Sequence, residues 1–234
     1  GTFDQASRSV DAGAMGKLAI SAADLLLGAS CPGCGAPALV VCRPCGESIR
    51  PDPHEAWPQP TPAGLRGVRP VAGGVNAGVL RESLIAWKEQ GRFGLAAPLA
   101  HLLASAVAEL APVASSIVLV PVPTSRRSKR ARGADLVDDV SRMAAQLLRR
   151  VGIDAGVDQA LTYTRTTVDQ SGLDSAARAD NVNGAFRVRR ARPRAGGAVV
   201  VVDDILTAGS TVAEAARALS LAGRRPIGVA VVAA

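Results

Sequence analysis

The sequence predicts an α/β fold, a parallel sheet with helices on both faces. Two observations carry this. Apolar, β-branched runs of strand length recur at 117–122, 198–203 and 227–232, and the Ala-Val-Val-Val-Val stretch at 198–202 contains no polar position. Between these runs lie segments whose apolar residues recur at helical spacing. A strand apolar on both sides must be covered on both sides, and strands separated by helices favour parallel pairing.

The elements follow in chain order. Residues 1–14 show no periodicity and read as a disordered tail. Residues 15–31 place Leu18, Leu25 and Leu26 near one face of an amphipathic helix. Asp24 and Gly28 oppose reading this stretch as a signal sequence ending in a lipobox. Two CxxC pairs come next, Cys31-Pro-Gly-Cys34 and Cys42-Arg-Pro-Cys45. Each pair can present two thiolates to one ion, and the Gly and Pro residues permit the tight turns this needs. Structural Zn2+ held by Cys31, Cys34, Cys42 and Cys45 is the expected outcome. Two disulfides are the competing one, and no secretory signal supports them. Pro51, Pro53, Pro58, Pro60 and Pro62 then exclude a helix or a central strand, so a linker is expected with a domain boundary near residue 60.

Beyond the linker a short strand is expected at 68–75. Helices are expected at 79–90, through Leu80, Leu84 and Trp87, and at 95–110. A strand at 117–122 ends in Pro121 and Pro123. The stripe of Leu136, Val137, Val140, Ala144, Leu147 and Leu148 marks a strong amphipathic helix over 136–151. Strands at 157–162 and 198–203, a helix through Val212, Ala215, Ala216 and Leu219, and a last strand at 227–232 complete the series. Three units result: a tail (1–14), a helix with a four-cysteine knuckle and linker (15–60), and an α/β domain (61–234).

Composition narrows the function. Of 234 residues 48% are hydrophobic, enough for a buried core, while only 3% are aromatic. The aromatic shortage excludes a base-stacking sheet of the RNA-recognition type. The net charge of +7 is uneven: residues 1–60 hold four basic and six acidic side chains, and the rest hold 23 and 14. Anionic ligands therefore suit the larger part. No uncharged apolar stretch reaches 18 residues, so no membrane insertion and a cytoplasmic location are expected.

The chemistry concentrates in Val199-Val-Val-Val-Asp203-Asp204-Ile-Leu-Thr207-Ala208-Gly209-Ser210-Thr211. A buried strand ends in two carboxylates, a small hydroxyl-bearing turn follows, and a helix begins. Backbone N–H groups at such a helix start, with Thr and Ser hydroxyls, form a cradle for a phosphate monoester. Two acids beside a phosphate would repel it unless they hold something else, such as sugar hydroxyls. A phosphorylated ribose satisfies both halves. The segment is neither a Walker A loop nor a dinucleotide glycine motif.

This pattern resembles the signature of the type I phosphoribosyltransferases, and the chain from about residue 25 onward is similar to the ComF/ComFC family. The cysteine knuckle, Ile85-Ala-Trp-Lys88-Glu-Gln-Gly91, Val120-Pro-Val-Pro123 with Arg132-Gly133, and Gln170, Gly172-Leu173, Arg178, Asn181-Val182 and Gly184-Ala185-Phe186 carry that second likeness. The resemblance implies a type I phosphoribosyltransferase-like sheet with a small N-terminal zinc-binding module. It implies that 5-phosphoribosyl 1-pyrophosphate (PRPP) is bound, with Mg2+ riding on its pyrophosphate. Asp203 and Asp204 would hold the ribose hydroxyls, and Thr207, Ala208, Gly209, Ser210 and Thr211 the 5-phosphate. Pro121 and Thr124 would belong to the pyrophosphate-side loop. Residues 165–182 would form the hood over the reaction centre and supply Arg165 or Arg178 to the chemistry. Lys88 is either a further phosphate contact or a surface lysine.

Departures from the family pattern are specific. Thr124-Ser-Arg-Arg lacks the family's loop histidine, Gly133-Ala-Asp-Leu lacks its Asn-Gln pair, and Ala208 replaces a frequent Thr. The block of Arg126, Arg127, Lys129, Arg130 and Arg132 borders the proposed leaving-group loop. The expected function is transfer of phosphoribosyl to an acceptor with release of pyrophosphate, linked to competence and DNA uptake. The alternative is a non-catalytic protein that keeps the fold and binds single-stranded DNA, competence-machinery proteins or PRPP as a sensor.

Overall fold

The computed structural model of the protein describes residues 29–111, 116–124, 135–164, 184–189 and 197–234. The expected tail and most of the first helix, the arginine block at 126–132, the hood at 165–182 and the arginines at 190, 192 and 194 lie outside them.

Eight strands and five α-helices occur among the described residues. In chain order they are α1 (Arg43–Ser48), β1 (His54–Glu55), β2 (Arg69–Ala72), α2 (Gly78–Glu89), α3 (Ala96–Leu110), β3 (Ser116–Pro121), α4 (Leu136–Arg150), β4 (Asp154–Val157), β5 (Leu161–Tyr163), β6 (Phe186–Val188), β7 (Ala198–Ile205), α5 (Ser210–Leu221) and β8 (Gly228–Ala233). Six strands form one sheet in the order β1-β2-β8-β7-β3-β4. Every pairing in it is parallel except β1 with β2. β5 and β6 pair antiparallel in a separate two-stranded sheet.

Strand alternation explains why the sheet is buried on both sides. Ile117, Leu119, Val200, Val202, Ala230 and Val232 face one apolar cluster, completed by α2, α3 and α4. Val118, Val120, Val199, Val201, Val229 and Val231 face the other, completed by α5 and the β5–β6 pair. Small side chains suffice because the layers approach closely, which is how so few aromatics can build this core.

Two expectations change. The single strand at 157–162 is two strands in two sheets. After Val157 the Asp158 N–H donates to Leu119 O (2.9 Å), and Ala160 N–H then closes a turn onto Asp158 O (2.8 Å). Arg224 fixes the Asp158 carboxylate at 2.8 Å, and the chain leaves the main sheet there. The proline-rich linker is likewise part of the architecture. His54 and Glu55 pair with Ala72 and Val71, and Asp52 N–H and Ala56 N–H donate to Gly73 O and Pro70 O. Prolines are tolerated because this is an edge strand.

Among the described residues, one segment, Phe93–Leu110, is long and apolar enough to cross a membrane by length and composition. Here it is a short 3-10 turn followed by α3, whose Leu99, Leu102, Leu103, Ala106 and Val107 lie in the core.

Candidate functional site

The carboxylate pair stands at the carboxyl end of β7, in the middle of the parallel sheet, where open α/β sheets place their ligands. Regular alternation stops there. Asp204 N–H turns to Asp203 Oδ1 (2.9 Å) and Ile205 N–H to Asp204 Oδ1 (2.7 Å). Ile205 packs on the same cluster as Val200 and Val202, out of phase with an unbroken strand. The pairing with β8 keeps its register, with Asp203 opposite Val231 and Ile205 opposite Ala233, so only the side chains are re-aimed at this strand end.

Gly209 follows in the left-handed region at φ 74° and caps α5, with no side-chain hydrogen bond to the first turn. The leading N–H groups of α5 therefore keep their donors for a ligand. Glycine is required twice over, because a Cβ there would also stand 2.7 Å from Pro58 Cγ. Thr207 and Ala208 are exposed at the turn, while Ser210 and Thr211 are half-buried.

The structure brings Lys88 to this place. It lies in the last turn of α2, and its Nζ stands 2.9 Å from Asp204 Oδ1, with both side chains mostly buried. Lys88 is thus the counter-charge of the acid pair, not a solvated surface lysine. Asp203 is pushed up to about 8, first by burial and then by the Asp204 charge; the Asp204 N–H and Lys88 oppose the rise without cancelling it.

Pro121 and Thr124 come to the same edge. Pro121 pairs with Val202, and Val122 N–H donates to Val202 O (2.9 Å). Thr124 Oγ1 donates to Asp135 Oδ1 at 2.8 Å, joining the end of β3 to the start of α4. Arg165 and Arg178 lie outside the described residues.

Sequence reasoning missed Glu214. It is buried on α5, accepts the Phe186 N–H (3.2 Å), and pairs with Arg217. Burial pushes its carboxyl up, but Arg217 and the N–H groups of Phe186 and Gly184 outweigh this and hold it below the usual range. One element thus carries both the Gly209 turn and the anchor of β6. An acid within the apolar stripe of α5, three residues before an arginine, was the available signal. Glu214→Gln is expected to cost about 2 kcal/mol, or about 4–8 °C in Tm, less than a fully buried pair because Arg217 is partly exposed. A lowered pKa contributes stability above its unfolded value and loses it as pH falls through the folded one. Melting curves from pH 7 downward should therefore show the difference between variant and wild type shrinking as the folded carboxyl takes up its proton.

The four cysteines form the second centre. Cys31, Cys34, Cys42 and Cys45 are free thiols, and their sulfurs lie within 4.8 Å of one another. Tetrahedral zinc with Zn–S of about 2.3 Å needs sulfurs about 3.8 Å apart, so the set fits the ion and could bind it. Burial raises the Cys31 thiol, but backbone N–H groups of Cys42, Cys34 and Gly33 overcome this and bring it down to about 6. The backbone is therefore already arranged to stabilise a thiolate. Cys45 is pushed up to about 12, first by its hydrogen bond with Cys42 and then by burial.

No family model matches the chain. Curated relatives do. The chain is 31% identical over 192 residues to the DNA utilization protein YhgH of Escherichia coli K12, covering 81% of this chain and 77% of that protein. It is 34% identical over 194 residues to the protein of the same name from Salmonella typhi, with the same coverage. The Shigella flexneri protein matches at 30% over 192 residues. The shared stretch covers most of both partners, and the chain belongs to the family of the DNA utilization protein YhgH.

Proposed function

We propose that this protein binds PRPP and transfers its phosphoribosyl group to an acceptor, releasing pyrophosphate. The observation that carries the reading is the end of β7: two carboxylates, one paired with Lys88, followed by an uncapped helix start behind Gly209. Asp203 and Asp204 suit the ribose hydroxyls. The N–H groups and hydroxyls at 207–211 suit the 5-phosphate. The loop after Pro121 adjoins the same strand end and suits the pyrophosphate.

In the reaction the bond from the anomeric carbon to pyrophosphate breaks, and its electron pair leaves with the pyrophosphate. An acceptor lone pair forms the new bond to that carbon, and the acceptor's proton passes to solvent. Positive charge grows on the ribose and negative charge on the leaving group, so cations aimed at the latter accelerate the step. Mg2+ would arrive on the pyrophosphate, coordinated mainly by phosphate oxygens and water. Arg165 and Arg178 keep the leaving-group role that the family resemblance implies. The reading places the protein in the cytoplasm, where its thiols stay reduced.

Calorimetry with PRPP and Mg2+ tests this directly. Wild type should bind with one site per chain. The Asp203→Asn, Asp204→Asn double variant should lose about two orders of magnitude in affinity, the range for truncating charged groups that hold a polar ligand. Wild type that does not bind PRPP defeats the proposal.

A second reading is favoured by the name of the relatives, DNA utilization protein, and by the positive charge of residues 61–234. In it the protein binds single-stranded DNA and keeps the sugar-phosphate fold without turnover. With few aromatics, contact would be mainly electrostatic, and affinity would fall steeply with salt. If the arginine block at 126–132 carries it, Arg126→Ala with Arg130→Ala should reduce the slope of log K against log salt by about 1.4, the single-strand value for two phosphate contacts. An unchanged slope removes the block from that role.

A further inference from the structure

Helix α2 has an unusual position. Its last turn supplies the cation of the carboxylate pair, yet its flanks are gripped by the cysteine knuckle. At the amino end, Val79 lies directly on the knuckle backbone: a Cβ on Gly33 would meet the two Val79 methyl groups at 2.8 and 2.9 Å and Cys45 Sγ at 3.0 Å. Only a glycine permits that approach. Beyond the carboxyl end, Arg92 donates to three knuckle carbonyls, those of Ser30, Ala38 (3.3 Å) and Leu39 (3.2 Å). Arg92 N–H bonds back to Ala86 O, so this clamp is tied to the turn of α2 that carries Lys88. Val40 and Val41 pack with Val79 and Phe93 against the cluster containing Trp87.

The knuckle has little of its own to hold it in shape. Among the described residues it contains one isolated bridge, Ser30 to Pro37, and the six-residue helix α1. A module of this size depends on its metal for folding. Its grip on α2 therefore depends on the four thiolates being bound.

We infer that the cysteine knuckle, acting through α2, sets Lys88 against Asp204, so that the metal state of the knuckle controls the charge balance of the carboxylate pair. Lys88 is in this sense a positioning residue. With the knuckle loaded, Lys88 neutralises Asp204. With the metal lost or the thiols oxidised, Val79 and Arg92 lose their seats, and Lys88 moves away. The pair then faces a phosphorylated ligand with one cation fewer. This inference rests on the sugar-phosphate reading only for its consequence in ligand affinity, and not for the coupling itself.

The test uses two reporters that need no ligand. The chain has three lysines, Lys17, Lys88 and Lys129, so acetylation of each is resolved by peptide mass spectrometry. In a Trp57→Phe background Trp87, buried in α2, is the sole tryptophan. Removing zinc with a mercurial, then thiol and chelator, should raise the Lys88 acetylation rate about fivefold, the worth of a partly exposed ion pair. It should also open Trp87 to acrylamide. Arg92→Ala in the zinc-loaded protein should move both reporters the same way, and decides the matter should the stripped protein unfold altogether. Lys88 and Trp87 unchanged in both cases overturn the coupling.

Affinity for PRPP with Mg2+ adds a readout that a merely structural lysine would not move. Stripping should weaken binding about tenfold, within the range of coupled sites. Lys88→Met should be weak whether loaded or stripped, and Lys88→Arg should retain the loaded affinity. Full additivity of stripping and Lys88→Met refutes the link. Zinc-loaded wild type that fails to bind PRPP defeats the proposed function instead and leaves the two reporters to judge the coupling.

Discussion

Asp203→Asn is expected to raise the melting temperature at pH 8 while weakening PRPP binding, by less than the double variant with Asp204→Asn does. The carboxyl is pushed up to about 8, by burial first and by Asp204 second. In the unfolded chain the same group ionises near its ordinary value of 3.8. Between those values the folded state holds a proton that the unfolded state has released, so stability falls as pH rises. The contribution is fully present below about 4 and lost by about 8. Asparagine keeps the oxygen that accepts the Asp204 N–H and never ionises, so the variant escapes the decline. The gain at pH 8 should be on the order of 2 kcal/mol, or about 4–8 °C, allowing for water at a half-buried group and for the coupled Lys88. It should shrink toward zero near pH 4. Melting curves from pH 4 to 8.5 check this, and a pH-independent difference between variant and wild type refutes it.

What could be read in the sequence was what the chain encodes locally. The run from Val199 to Asp204, the glycine turn and the start of α5 are continuous, so their order on the page is their order in space. The parallel sheet was legible for the same reason, since unbroken apolar strands can be satisfied only between two helical layers. The four cysteines were legible as a cluster because their spacing allows one ion to hold all four. The Lys88–Asp204 pair was not, because α2 and β7 are far apart in the chain and neither encodes the other's position. Apolarity alone also could not show that the strand expected at 157–162 breaks. Residues on both sides of Asp158 are equally suited to strands, and the break is imposed by Leu119 and Arg224 from elsewhere. The linker was judged by its prolines, which rule out a central strand but leave the edge of the sheet open to it. Glu214 escaped because burial of an acid is decided by Phe186 and Arg217, not by its own neighbourhood.

The other large effect concerns the knuckle. Cys45→Ser is expected to lower the melting temperature by more than about 10 °C and to reduce bound zinc from one per chain to substoichiometric levels. Cys45 is buried within the module: its sulfur closes the four-thiol set, and a Cβ on Gly33, on which Val79 packs, would stand 3.0 Å from it. Structural zinc contributes on the order of 10 kcal/mol to the folding of small isolated modules. Only part of that reaches the global transition here, because the α/β core has its own support. The part that does reach it passes through identifiable contacts. Ile49, Val40 and Val41 would leave the cluster they share with Trp87 and Leu95, exposing apolar surface at about 25 cal/mol per Å2. Arg92 would lose three carbonyl partners at once. Melting curves with and without chelator, with metal content measured on the same samples, separate the two contributions. If the knuckle were an independent appendage, chelation would leave the main transition in place and only a minor, low-temperature phase would vanish. A single transition that shifts as a whole is expected instead, since the core on the α2 side is built partly from knuckle residues.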